Sequence, residues 1–177
     1  MSVYDQMNRD DLLRALHMFA ANWLAHDGCW FLAAEEQLGM DAAIELDRRS
    51  WERFAATEAR RIMITFGLPA NGGLDVLARA LQLRMYALIN DHHIEWTDDH
   101  RILRFTMDRC RVQETRRQRG LPDFPCKSVG MIEFSTFART IDPRICARCG
   151  HCPPDALEGK YCSWEFEVEE LAKTGDA

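Results

Sequence analysis

The spacing of the hydrophobic residues constrains this chain more than any other feature, because its period changes near residue 92. Before that point apolar residues recur every three or four positions, which is the period of an amphipathic helix. The pattern predicts a first helix that ends at His26–Gly28, a second from about Asp41 to about Phe66, and a third along the stripe Leu74–Leu88. Gly28 is expected to end the first helix, because glycine tolerates the left-handed conformation found at helix C-termini.

After residue 92 apolar and polar residues alternate, which is typical of strands with one buried face. Strands are predicted at His93–Trp96, at Ile102–Cys110 and from Cys162 to Glu169, with Cys162 on the inward face. A covering helix is predicted over Val129–Ile141, and a cysteine-rich loop after it. The expected fold is α+β, with a helical N-terminal layer packed on a small antiparallel sheet. We expect a single domain over residues 1–177, mostly helical over 1–91, with the sheet, covering helix and Cys-rich metal loop in 92–177.

The composition excludes several classes of protein. The 177 residues are 47% hydrophobic and 28% charged, as in ordinary globular proteins. The net charge of -6 argues against a nucleic-acid partner, because such proteins are usually basic. No apolar run approaches the roughly 18 residues needed to span a bilayer. The polar, acidic N-terminus does not resemble a signal peptide, so we expect a cytoplasmic protein without a membrane partner.

The cysteines indicate the chemistry. Two of the seven, Cys29 and Cys110, stand alone, and the other five fall in the last third of the chain: Cys126, Cys146, Cys149, Cys152 and Cys162. Clustered cysteines in a reducing compartment usually indicate metal or redox chemistry. The Cys-x2-Cys-x2-Cys-Pro run fits part of an iron–sulfur ligand loop, with Cys162 as a fourth ligand, or a four-cysteine zinc site. His151 is an alternative ligand, and five incidental buried thiols are the competing interpretation.

Other polar residues admit two interpretations each. Asp27, which precedes Trp30 and Phe31, either lines a pocket or belongs to the turn at the end of the first helix. Cys126, with His93 as base and Asp155 as orienting carboxylate, is a candidate nucleophile without a metal. The acidic pair Glu35–Glu36 and the basic stretch Arg111–Arg119 are expected to be solvated surface.

Several motifs together resemble a family of uncharacterised bacterial and archaeal cytosolic proteins. They comprise Cys110–Gln113, Gly120–Cys126, Phe137–Arg144, Cys149–Asp155 and Cys162–Phe166, with Trp23, Asp27–Gly28 and Trp30–Phe31 before them. More distantly, the order of elements is similar to L-2-amino-thiazoline-4-carboxylic acid hydrolase-like proteins and to the 4-vinyl reductase domain. The matching positions are Cys126 before the Val129 helix and Cys162 before Trp164 and Phe166.

The distant resemblance implies a metal site and a small-molecule pocket between the helical layer and the sheet. Its preferred ligands for zinc, or alternatively an iron–sulfur cluster, are Cys126, Cys149, Cys152 and Cys162, with Cys146 spare. The implied activity is hydrolysis of a small cyclic C–N or C–S substrate. The alternative is a non-catalytic ligand-binding or sensor module with a structural metal. The oligomeric state stays open, and Trp30, Phe31 and Trp96, which lie near the ends of elements, could form a pocket or a homodimer interface.

Overall fold

The computed structural model of the protein describes residues 1–155 and 161–169. Five α-helices in these ranges pack on one antiparallel sheet, so the predicted α+β class is confirmed. The helices are α1 (Arg9–Leu38), α2 (Met40–Phe66), α3 (Gly73–Gln82), α4 (Arg111–Gln118) and α5 (Lys127–Ile141). The strands are β1 (Asp91–Thr97), β2 (Ile102–Arg109), β3 (Ile145–His151) and β4 (Cys162–Val168), in the spatial order β1-β2-β4-β3. The last eight residues of the predicted domain, 170–177, lie outside the described residues.

Helix α1 is longer than the hydrophobic pattern predicted. The side chain of Asn8 caps its start by accepting a hydrogen bond from the Asp11 amide. The helix continues through Gly28, so the predicted end there is wrong. One interior glycine costs only about 1 kcal/mol, and contacts such as the Phe31–Phe124 ring pair stabilise the next turns. The helix ends instead at Gly39, whose φ of 82° a side chain would disfavour.

The second helix is confirmed, and the third is interrupted. Helix α2 ends at Gly67, which adopts the left-handed conformation. Helix α3 stops at Gln82, and an extended Arg84 separates it from a 3-10 turn at Met85–Leu88. Helical periodicity cannot reveal this break, because it comes from Arg84 reaching buried carboxylates on other helices. No helix in the described part of the chain has both the length and the hydrophobicity needed to cross a bilayer.

The sheet contains one strand that the pattern did not predict. The cysteine-rich segment forms β3 instead of a loop, and it pairs along β4 with Ile145 opposite Val168. The pairing shifts in register between Cys149 and His151. Ile145, Ala147 and Cys149 occupy alternate positions and pack on the core, but small side chains and cysteines give a weaker strand signal than the aromatic residues of β4. The pairing with β4 therefore specifies this strand more than its own pattern does.

Helix α5 covers the inner face of the sheet through aromatic contacts. The Phe134 ring lies 5.6 Å from the Phe105 ring and 4.8 Å from the Trp164 ring, measured between centroids. One turn earlier, Gly130 allows the Trp164 indole to approach the helix. A Cβ atom there would lie 2.4 Å from Cζ2 of Trp164, closer than packed atoms tolerate. The absence of a side chain at this position therefore determines the distance between helix and sheet.

We predict that Gly130→Ala destabilises the protein by roughly 1–3 kcal/mol, because the new methyl group must displace the Trp164 ring. The matched control is Gly28→Ala, since a Cβ at Gly28 has no atom within 4 Å and the helix gains about 0.5–1 kcal/mol. Urea unfolding of both variants measures the difference. Equal stabilities would contradict the packing described.

Candidate functional site

A cavity of about 430 Å³ lies between the helices and the inner face of the sheet. This volume is within the roughly 300–1,000 Å³ range of small-molecule sites. Helices α1, α2, α4 and α5 and strands β2 and β4 contribute to its wall. Most of the lining is apolar, and its larger members include Leu24, Phe31, Leu32, Trp51, Leu81, Phe105, Met107, Phe124, Phe134 and Trp164. We call this space the cavity.

The cavity opens between α1 and α4. Five of its lining residues are exposed, and they define what we call the mouth: Ala21, Ala25, Cys29, Arg111 and Arg119. Beside the mouth, the guanidinium of Arg116 donates to both carboxylate oxygens of Glu35, at 2.7 and 3.0 Å. These hydrogen bonds hold the pKa of Glu35 below its usual value. Arg116 is 5% exposed, so the prediction of a solvated surface is wrong for this residue.

Three carboxyl groups from three helices face the cavity, and we call them the carboxyl cluster. They belong to Asp27 on α1, Asp47 on α2 and Glu133 on α5. Burial raises the pKa of Asp27 and of Glu133. Burial, together with the charges of Asp27 and Glu133, raises the pKa of Asp47 to about 7. Of the two interpretations of Asp27, the pocket-lining one is confirmed and the helix-end turn is wrong.

Arg84 is the buried cation next to this cluster. Its side chain is 4% exposed, and one terminal nitrogen lies 2.9 Å from Glu58 and 2.7 Å from Glu133. The guanidinium also stacks near aromatic rings, at 4.8 Å from the ring centre of Phe137 and 5.5 Å from that of Tyr86. Two carboxylates therefore already share the charge of Arg84.

A different part of the wall carries thiols. Cys110, Cys126 and Cys162 line the cavity, and burial raises the pKa of each, so all three are neutral at neutral pH. Cys162 is on the inward face, as predicted. Cys110, expected to stand alone, joins two of the predicted metal ligands.

The predicted nucleophile is not paired with its predicted base in the described residues. Cys126 accepts a hydrogen bond from the Gln113 amide at 3.0 Å and donates to the Phe124 carbonyl. His93 lies on β1 and pairs with Asp108, with 2.6 Å between Nδ1 and Oδ2. Its neighbour His92 points to the other face, stacks on Phe105 and lines the cavity.

The four predicted metal ligands divide into two pairs. The Sγ atoms of Cys149 and Cys152 are 3.5 Å apart, whereas Cys126 and Cys162 belong to the cavity wall. Cys152 is close enough to affect the pKa of Cys126 and that of Cys162. Within residues 1–155 and 161–169, no three His, Cys, Asp or Glu side chains are arranged to hold a metal. The zinc or iron–sulfur site stays a prediction.

Sequence reasoning missed Asp47, Arg84 and Glu133. Each lies in a segment for which the sequence predicts a helix, but no pattern singles the residue out. The available signal was a charged residue inside an apolar stripe, such as Arg84 between Leu81 and Leu88. A buried charge must be paired, so such a residue indicates partners elsewhere in the chain.

We predict a pH dependence of stability from Asp47. Between about pH 4 and about pH 7 the folded protein keeps a proton on Asp47 that the unfolded chain releases, because the pKa rises from 3.8 to about 7 on folding. The contribution of Asp47 to the unfolding free energy therefore falls as pH rises through this window. The free energy of unfolding of Asp47→Asn should therefore rise relative to that of the wild type by roughly 2–4 kcal/mol between about pH 4 and about pH 7.

Urea unfolding at several pH values measures this difference. Glu52→Gln, which alters an exposed carboxyl on the same helix, is the control and should stay close to wild type throughout. A constant difference between Asp47→Asn and wild type from pH 4 to pH 7 would contradict the burial of this carboxyl.

Comparison with solved structures identifies a protein of similar fold. A trafficking protein particle complex subunit 3 from Naegleria fowleri, covalently bound to palmitic acid, superimposes with a TM-score of 0.50. The match covers 92% of this chain and 98% of that one at 10% sequence identity, so it establishes a shared fold alone. No curated protein matches the sequence.

Comparison with protein families gives a match over most of the chain. Residues 5–168 fit the model of DUF6125, a family of unknown function. The predicted membership of an uncharacterised family is confirmed in this form, while the likeness to the hydrolase-like proteins and to the 4-vinyl reductase domain stays a prediction. The chain thus belongs to the DUF6125 family.

Proposed function

We propose that this protein binds a small, largely apolar molecule in the cavity. The observation that carries the proposal is a single space of about 430 Å³, with a mostly apolar lining and a mouth open to solvent. An apolar ligand there would lose its contact with water, which stabilises a complex by about 25 cal/mol for each Å² of apolar surface buried.

The protein of similar fold supports this proposal, because its structure contains palmitic acid. An acyl chain is therefore one class of ligand to test. The binding role is the non-catalytic alternative derived from the sequence. A hydrolase remains a separate prediction. The geometry favours binding over nucleophilic catalysis, because the cavity thiols are neutral and Cys126 contacts the Gln113 amide and the Phe124 carbonyl.

Blocking the mouth tests the proposal. In Ala25→Trp, an indole replaces an exposed methyl group that lines the cavity, so we expect a loss of at least tenfold in affinity for the neutral apolar probe N-phenyl-1-naphthylamine. The matched control is Ala33→Trp, an exposed alanine of the same helix outside the lining. Fluorescence titration measures both affinities. No binding by the wild type, or equal binding by both variants, would refute the proposal.

A second proposal, that cysteines hold a metal, rests on one distance. Two thiolates on a tetrahedral zinc ion with Zn–S bonds of 2.3 Å lie about 3.8 Å apart. The Sγ atoms of Cys149 and Cys152 are 3.5 Å apart and so need little movement to share an ion. Cys126 and Cys162 are the proposed remaining ligands, with an iron–sulfur cluster as the alternative to zinc.

We expect Cys152→Ala to lose metal and thermal stability together, because a metal bound only by the folded state stabilises it. Elemental analysis and a visible spectrum of protein purified without oxygen measure the metal, and Cys29→Ala is the control. A wild type without zinc or iron would refute this second proposal, as would full metal content in Cys152→Ala.

A further inference from the structure

We infer that the ligand of the cavity carries a protonated nitrogen, which the carboxyl cluster of Asp27, Asp47 and Glu133 recognises. This inference rests on the proposed binding function and specifies the class of ligand. The protonated nitrogen would be the polar end of the ligand, and the rest of the ligand would be apolar, because most of the remaining wall is apolar.

The carboxyl groups at this end of the cavity outnumber the buried cation. The cluster contributes three carboxyl groups to the cavity wall, and Glu58 behind it is a fourth, against the single guanidinium of Arg84. Arg84 is already paired with Glu58 and Glu133. Asp27 and Asp47 are therefore left without a buried cation in the described residues.

The other basic groups of the wall are paired elsewhere, exposed at the mouth or neutral. Arg116 is bound to Glu35, and Arg111 and Arg119 are exposed at the mouth. His92 lines the cavity, but burial lowers its pKa and keeps it neutral. His26 is exposed on α1, next to Asp27 in sequence.

An ionised carboxylate without a partner is costly in a water-poor site. Such a group either binds a proton or meets a cation. In the empty cavity a bound proton neutralises the carboxylate. In the complex, an ammonium or amidinium group of the ligand would replace that proton. Hydrogen bonds between ionised partners are also stronger than those between neutral ones, which would give the ligand orientation as well as affinity.

The Trp164 indole is independent evidence for a polar ligand atom. Trp164 is 1% exposed and lines the cavity, and no oxygen or nitrogen atom of the described residues accepts a hydrogen bond from its Nε1. The group that it meets is the sulfur of Cys162, which is a weak acceptor. Its ring packs on Gly130, one helical turn from Glu133. A buried donor without an oxygen acceptor in the wall of the same cavity indicates a ligand that also offers a neutral oxygen or nitrogen atom.

This arrangement disfavours a free fatty acid with its head group inside the cavity. A carboxylate at that end would face the carboxyl cluster, and like charges repel more strongly at low dielectric. An acyl chain attached through a neutral bond lacks this charge. The expected ligand therefore differs from free palmitate at its polar end, although both have an apolar chain.

Three probes with one ten-carbon chain test the inference: decylamine, 1-decanol and decanoate. Each competes with N-phenyl-1-naphthylamine for the full-length protein at pH 7.5, below the concentrations at which it forms micelles. We expect decylamine to bind at least tenfold more tightly than 1-decanol, and decanoate to bind most weakly. In the double variant Asp27→Asn, Asp47→Asn, the preference for decylamine over 1-decanol should fall below about threefold.

The control is Glu36→Gln, which alters an exposed carboxyl of α1 outside the lining and should keep the wild-type preference. Decanoate binding as tightly as decylamine, or a double variant with unchanged preference, would overturn the inference and leave the proposed cavity function intact. Failure of all three probes to displace the bound dye would likewise overturn the inference, whereas the proposed function fails if the dye itself does not bind. If circular dichroism shows the double variant unfolded, the ranking of the three probes on wild type decides alone.

Discussion

The buried guanidinium of Arg84 is the interaction on which the arrangement of helices depends. It lies in the segment between α3 and β1, and its two carboxylate partners lie on α2 and α5. One side chain thus links the helical layer to the helix that covers the sheet. Removing one member of such a group leaves an uncompensated buried charge, which costs several kcal/mol. The same interaction breaks the apolar stripe of α3, since Arg84 must turn inward to reach its partners.

The cavity follows from how the layers approach one another. Gly130 lets the Trp164 ring approach α5 closely, and the Phe134 ring joins that contact. Helix α1 meets the opposite side of the cavity, where its Glu35 is bound to Arg116 of α4. Close packing on one side and a bridging ion pair on the other leave a space between them. Its wall has three chemical regions: apolar side chains, neutral thiols, and carboxyl groups that outnumber the buried cation.

The cysteines illustrate how folding regroups residues that are neighbours in sequence. Cys149 and Cys152 remain together, because the segment between them is short. Cys126 and Cys162 instead meet Cys110 in the cavity wall, although more than ten residues separate each of them from the next along the chain. Burial raises the pKa of these three thiols, which suits an apolar binding site better than nucleophilic chemistry.

The sequence by itself determined the fold class, helices α2 and α5, strands β1, β2 and β4, and the inward face of Cys162, because hydrophobic periodicity is a local signal that burial enforces. It also marked Asp27 as a candidate pocket residue from its aromatic neighbours. It did not predict the continuation of α1 through Gly28, the break at Arg84, the strand β3 or the carboxyl cluster. The first three are decided by a partner far away in sequence: Phe124 for α1, Glu58 and Glu133 for Arg84, and β4 for β3. The carboxyl cluster forms because three separate helices meet at one cavity. Only the tertiary structure brings such partners together, because the free energy of a buried charge or of an edge strand depends on groups that local sequence does not contain.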